Sequence, residues 1–177
     1  ADITPTESVP IYNANSVGVR DPLYLTCTAV CDGENVGLLM SAALKSFTRK
    51  VASQSAKIIE KEFGIPLSNI IISATHTHSA PDVVSNNEAV VRWSSLFYKQ
   101  LKVVVREALQ DLAPAEAYVG VSHTEGLTFV RRYKLENGKY QTNPYSSASK
   151  PVEHESEADN ELRTIRFDRK NKNYLSK

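Results

Sequence analysis

Two histidines one residue apart, His76 and His78, stand in the stretch Thr75-His76-Thr77-His78-Ser79-Ala80-Pro81-Asp82. Neutral imidazole is a common zinc ligand, and a second imidazole nearby can orient a bound water or the substrate. In an extended chain, residues two apart project to the same side, so both rings are expected to face one cleft. Asp82 is placed to accept an imidazole N–H and hold a ring in orientation. The same pattern also fits two hydrogen-bonded histidines on a surface loop. Catalytic zinc takes three protein ligands and structural zinc four. The chain offers only His123 and His154 besides, neither at a recognisable ligand spacing.

Arg131-Arg132-Tyr133 is the second candidate. A guanidinium clamps a carboxylate or polarises a carbonyl through its fork of donors, although paired arginines on a hairpin are more often simply solvated. Lys45, Arg49 and Lys50 read as the wet face of a helix. Glu153, Glu155, Glu157 and Asp159 read as an exposed loop without calcium-binding spacing. Trp93 and Phe97 are expected in the core rather than on a lipid-binding patch.

The elements that must position these residues form an α/β pattern. Leu23 to Val30 and Val36 to Ala42 are apolar runs flanking Asp32-Gly33-Glu34-Asn35, which predicts a hairpin. A helix follows from about Ser46 to Phe63, with Val51, Ile58, Ile59 and Phe63 as its apolar stripe; Gly64 and Pro66 supply the stop. Ile70 to Ala74 is a short all-apolar strand, so the sheet is expected to be covered, and the histidines follow its C-terminal end, where ligands commonly bind. A second helix runs from about Glu88 to Leu112, capped by Asn86 or Asn87. Its stripe is Val90, Ser94, Phe97, Leu101, Val104, Ala108 and Leu112.

Beyond it, Ala117 to Ser122 reads as a strand. Thr128 to Leu135 and Lys139 to Thr142 flank Asn137-Gly138, a strong hairpin signal. Asn143 to Glu161 reads as a long polar loop. Glu161 to Asp168 is another strand, with a turn over Lys170 to Asn173 and a partner strand starting at Tyr174-Leu175. A strand whose partner has barely begun suggests a fragment of a longer polypeptide. The expected fold is α/β, a mixed sheet flanked by two long helices, with β-hairpins, as one incomplete domain over 1–177.

The 177 residues carry 21 Lys and Arg against 20 Asp and Glu. A protein that binds nucleic acid through its phosphates usually shows a basic excess, so no nucleic-acid partner is expected. No apolar run approaches the roughly 20 residues of a membrane span, so no transmembrane segment is expected. Ala1 to Pro5 lacks a signal-peptide pattern, which fits either a cytoplasmic protein or one whose leader has been removed. Cys27 and Cys31 lie four strand steps apart, roughly 13 Å, beyond disulfide reach, and read as two packed thiols.

Ser73-Ala74-Thr75-His76-Thr77-His78-Ser79-Ala80-Pro81 is very similar to the histidine motif of the neutral/alkaline, non-lysosomal ceramidases and their bacterial relatives. Ala1 to Pro5, Phe129 to Tyr133 with Glu136-Asn137-Gly138, Thr142 to Pro144, and Asp159 to Phe167 resemble further stretches of that family in the same order. The resemblance implies zinc-dependent hydrolysis of the amide of ceramide or a related N-acyl lipid by metal-activated water. It implies His76 as a zinc ligand, His78 beside the metal, and Arg131 as a substrate-holding residue. It implies that the remaining ligands come from the rest of the polypeptide, so the isolated 177 residues are expected to be inactive. It also implies an exported protein with its leader removed.

The departures are Val130 in place of the family's Asn, Ala80 in place of Gly, and Ala43 where many relatives carry Asp. They keep alternatives open: a non-catalytic relative that binds a lipid or glycan, or a hydrolase of the same mechanism acting on a different amide or ester.

Overall fold

The computed structural model describes residues 1–169. The predicted turn over Lys170 to Asn173 and the strand at Tyr174-Leu175 lie outside the described residues. The chain divides into two compact units, the first Ala1–Leu112 and the second from Ala113 onward. The architecture is mixed α/β, with several small sheets and two long helices.

In the first unit, β1 (Pro10–Ile11) and β2 (Ala14–Asn15) form a tight hairpin. The predicted longer hairpin is β3 (Leu25–Cys31) and β4 (Val36–Ala42). Its turn closes because the Asp32 carboxylate accepts the N–H groups of Glu34 and Asn35, at 3.0 and 2.7 Å. Helix α1 (Arg49–Phe63) starts later than the apolar pattern suggests. Thr48 accepts the Val51 N–H at 3.1 Å, and capping at that residue leaves Lys45 outside the helix. Gly64, with φ 70°, ends it in the left-handed conformation.

Strand β5 (Ile70–Ala74) then pairs parallel with β4, giving the mixed sheet β3-β4-β5. Helix α2 (Glu88–Gln110) is capped by Asn87, whose side chain accepts the Ala89 N–H at 2.9 Å.

Leu25, Leu38, Met40 and Ala42 bury one face of that sheet together with Ile59, Trp93, Phe97 and Leu101 from the helices. Trp93 and Phe97 are therefore core, and the indole N–H donates to the Ile3 carbonyl at 2.7 Å. The opposite face carries Thr26, Thr28, Leu39 and Ile71, the last 60% exposed. The fully covered sheet expected from Ile70-Ile71-Ile72 is thus corrected: among the described residues the helices cover one face only. An all-apolar run fits two covered faces but does not require them. Cys27 is half-buried, and burial pushes its thiol up to about 11, whereas Cys31 is exposed. Only one of the two expected packed thiols packs.

Among the described residues, the second unit's regular elements are all strands. β6 (Ala115–His123) pairs antiparallel with β10 (Glu161–Arg169) along its full length. A second sheet has the order β8-β7-β9, from β7 (Arg132–Leu135), β8 (Tyr140–Thr142) and β9 (Pro151–His154). Strand β9 lies inside the predicted polar loop, and residues 128–131, expected to be strand, are not. The acids that read as loop are cross-strand partners: Glu153 pairs with Lys134 at 3.0 Å, and Glu155 with Arg132 at 2.9 Å. Pro151-Val152-Glu153-His154 shows no apolar alternation, which is why the strand is silent in the sequence. No helix among the described residues is long and apolar enough to cross a membrane.

Candidate functional site

The histidine loop leaves the C-terminal end of β5 still tied to the chain beyond β4. Thr75 N–H donates to the Ala42 carbonyl and Thr77 N–H to the Leu44 carbonyl, both at 3.0 Å. Between these two anchors His76 takes φ 62°, a left-handed conformation uncommon for a side chain other than glycine. The expected extended geometry is corrected here. The two imidazoles do meet, but a turn at His76 brings them together rather than strand alternation. Their ring centroids are 4.7 Å apart at 75°.

His76 Nδ1 lies 2.9 Å from the Lys45 carbonyl, and His76 Nε2 lies 3.1 Å from His78 Nε2. A carbonyl only accepts, so Nδ1 of His76 carries a proton. In the neutral ring this leaves the lone pair on Nε2. His78 must then donate from its own Nε2. Metal-binding histidines commonly tie the other ring nitrogen to a carbonyl in this way, which fixes both tautomer and orientation. The expected Asp82 contact does not take this role: its carboxylate accepts the Val84 N–H at 3.3 Å, and Lys45 supplies the acceptor instead.

Two residues absent from the sequence-based site complete the arrangement. Tyr12, in the β1–β2 turn, packs its ring edge-on against His78, with centroids 4.7 Å apart. The hairpin that carries it is held to the histidine loop by Asp82 N–H donating to the Pro10 carbonyl at 2.8 Å. The Lys45 ammonium lies 3.7 Å from the centroid of the same tyrosine ring. Lys45 is therefore a residue of the site rather than of a wet helix face. Thr48, placed three residues before Val51, was the signal that the helix begins after it. Nothing local in Tyr12-Asn13 announces the tyrosine's position.

The fit to zinc is partial. Two nitrogens on one tetrahedral zinc stand about 3.3 Å apart, given Zn–N distances of roughly 2.0–2.1 Å. The 3.1 Å separation is therefore close to what either a hydrogen bond or a shared metal ion requires. Among the described residues no group of three or more His, Cys, Asp or Glu side chains could hold a metal ion, so any further ligands would come from elsewhere.

Arg131 belongs to the second unit, immediately before β7, and is exposed. Its main chain is well anchored. The Val130 carbonyl accepts from His154 Nδ1 at 2.6 Å, the Arg131 carbonyl from Asn143 N–H at 2.9 Å, and the Arg132 carbonyl from Glu155 N–H at 2.9 Å. Arg132, its neighbour, is spent on Glu155 and on the Tyr140 ring. Of the two arginines, Arg132 is the one tied into the β8-β7-β9 sheet through its side chain.

No protein-family model matches the chain, and no curated protein matches it. The chemistry of the site rests on its own residues.

Proposed function

We propose that this chain supplies the first metal ligand of a zinc-dependent amide hydrolase resembling the neutral/alkaline ceramidases, with ceramide or a related N-acyl lipid as substrate. The observation that carries the reading is the His76 Nδ1–Lys45 carbonyl bond, which leaves the Nε2 lone pair directed at its neighbour. His76 would hold the metal through that nitrogen. Zinc, when bound, supplies polarisation of the amide carbonyl and a more acidic water.

His78, with one ring nitrogen a donor and the other an acceptor, would hold or pass a proton at the amide under attack. Tyr12 keeps its ring in place. Arg131 would hold the substrate through its guanidinium fork, as the resemblance implies. As the resemblance implies, the remaining ligands would come from other parts of an exported polypeptide, and the 177 residues alone would not hydrolyse the substrate.

The test is zinc content and N-acyl hydrolysis by the full-length protein, with His76→Ala as the control. The substitution is expected to remove bound zinc and lower kcat/KM by at least a thousandfold. Unchanged hydrolysis would eliminate the reading. A non-catalytic lipid- or glycan-binding role is the second reading, favoured by Ala43, whose methyl stands where many ceramidases have a carboxylate.

A further inference from the structure

We infer that the Lys45 ammonium forms an anion subsite beside the imidazole pair, and that the favoured substrate is an N-acyl amine with a negatively charged group close to its amide, such as an N-acyl amino acid. The inference rests on the proposed function and specifies its substrate class. Lysine side chains outside regular structure usually swing freely, but Lys45 is held at both ends. Its carbonyl accepts a hydrogen bond from His76 Nδ1–H, and its ammonium sits 3.7 Å from the centroid of the Tyr12 ring. A cation over an aromatic face is held by the ring's negative potential and keeps other donors free. That same ring packs against His78 with centroids 4.7 Å apart, so the ammonium and the His78 imidazole share one tyrosine ring as neighbour.

The charge around it is one-sided. Lys45 is half-buried, and among the described residues no carboxylate is within salt-bridge distance of its ammonium. The carboxylate of Asp82 is turned to the Val84 N–H. Ala43, two residues before the lysine, provides no acid. A metal ion on His76 would add positive charge to the same place. A fixed cation without a protein counter-ion gains more from an anionic ligand than from a neutral acceptor, which is selectivity by charge. Ceramide is neutral and would leave the ammonium without a counter-ion.

The experiment compares N-dodecanoylglycine with N-dodecanoylethanolamine, which differ mainly by a carboxylate in place of a hydroxyl. Both are offered to the full-length protein and to its Lys45→Met and Lys45→Arg variants. Wild type is expected to favour the glycine amide roughly tenfold in kcat/KM, about the worth of one charge-assisted hydrogen bond at a half-exposed site. Lys45→Met should bring the ratio near one through a raised KM for the glycine amide, and Lys45→Arg should retain it. The preference should shrink with added salt. An equal loss on both amides would make Lys45 only a prop for Tyr12 and overturn the inference, as would a wild type with no preference. Kd values for the two amides, measured by calorimetry with a metal chelator present, should show the same ratio. If neither amide is hydrolysed but binding still discriminates through Lys45, the proposed reaction fails and the anion subsite stands. Without discrimination in binding, both fail.

Discussion

The two units of this protein hold their candidate residues by different physics. In the first, helices α1 and α2 bury one face of a mixed sheet, and the histidine loop hangs from that packed body. In the second, antiparallel strands are joined by main-chain ladders and cross-strand ion pairs. Of the buried apolar side chains among the described residues, all but Leu135 and Pro144 belong to the first unit.

The ribbon β6/β10 even turns an apolar face outward. Ala117, Val119, Val121, Ile165 and Phe167 share it by register, with Val119 77% exposed. Yet each unit uses the same device locally: an imidazole Nδ1 bonded to a carbonyl, His76 to Lys45 in the first and His154 to Val130 in the second. A core and a ladder can each fix a ring, but only the core resists unfolding by its own burial.

The comparison breaks most plainly if the units are separated. Residues 1–112 expressed alone should melt cooperatively, and residues 113–177 should show no cooperative transition by circular dichroism. A sharp melt from the second piece would mean that the ladders suffice. Next in size, Phe97→Ala should cost about 3–5 kcal/mol in chemical denaturation, because it empties a packed position. Ile165→Ala should cost less than about 1 kcal/mol, since that side chain is 64% exposed. Equal costs would show that the outward face of the ribbon is covered in solution.

The smallest effect sharpens the likeness rather than the contrast. His154→Phe keeps a ring against Tyr133, now 4.4 Å from the imidazole, but loses the donor to Val130. It should cost about 0.5–1.5 kcal/mol, with faster amide exchange at Asn143 and Glu155. Unchanged exchange at both amides would remove His154 from the anchoring of the Arg131 segment.

Local chemistry was enough for much of this fold. Apolar spacing placed both helices, Asn87 and Gly64 marked their ends as caps must, and the Asp32 turn set the first hairpin. The histidine motif made this loop the candidate, because imidazole is a common metal ligand. Sequence failed where pairing is decided at a distance. Strand β9 has no apolar alternation, and its acids become meaningful only opposite Lys134 and Arg132.

The same limit explains the site. Residue types and spacing made His76 and His78 candidates, since imidazole chemistry is intrinsic to the side chain. The folded chain alone decided that His76 turns left-handed, that a carbonyl 31 positions away fixes its tautomer, and that Tyr12 and Lys45 stand beside the pair. A tautomer and a neighbour are set by contacts across space, and contacts of that range leave no local pattern to read.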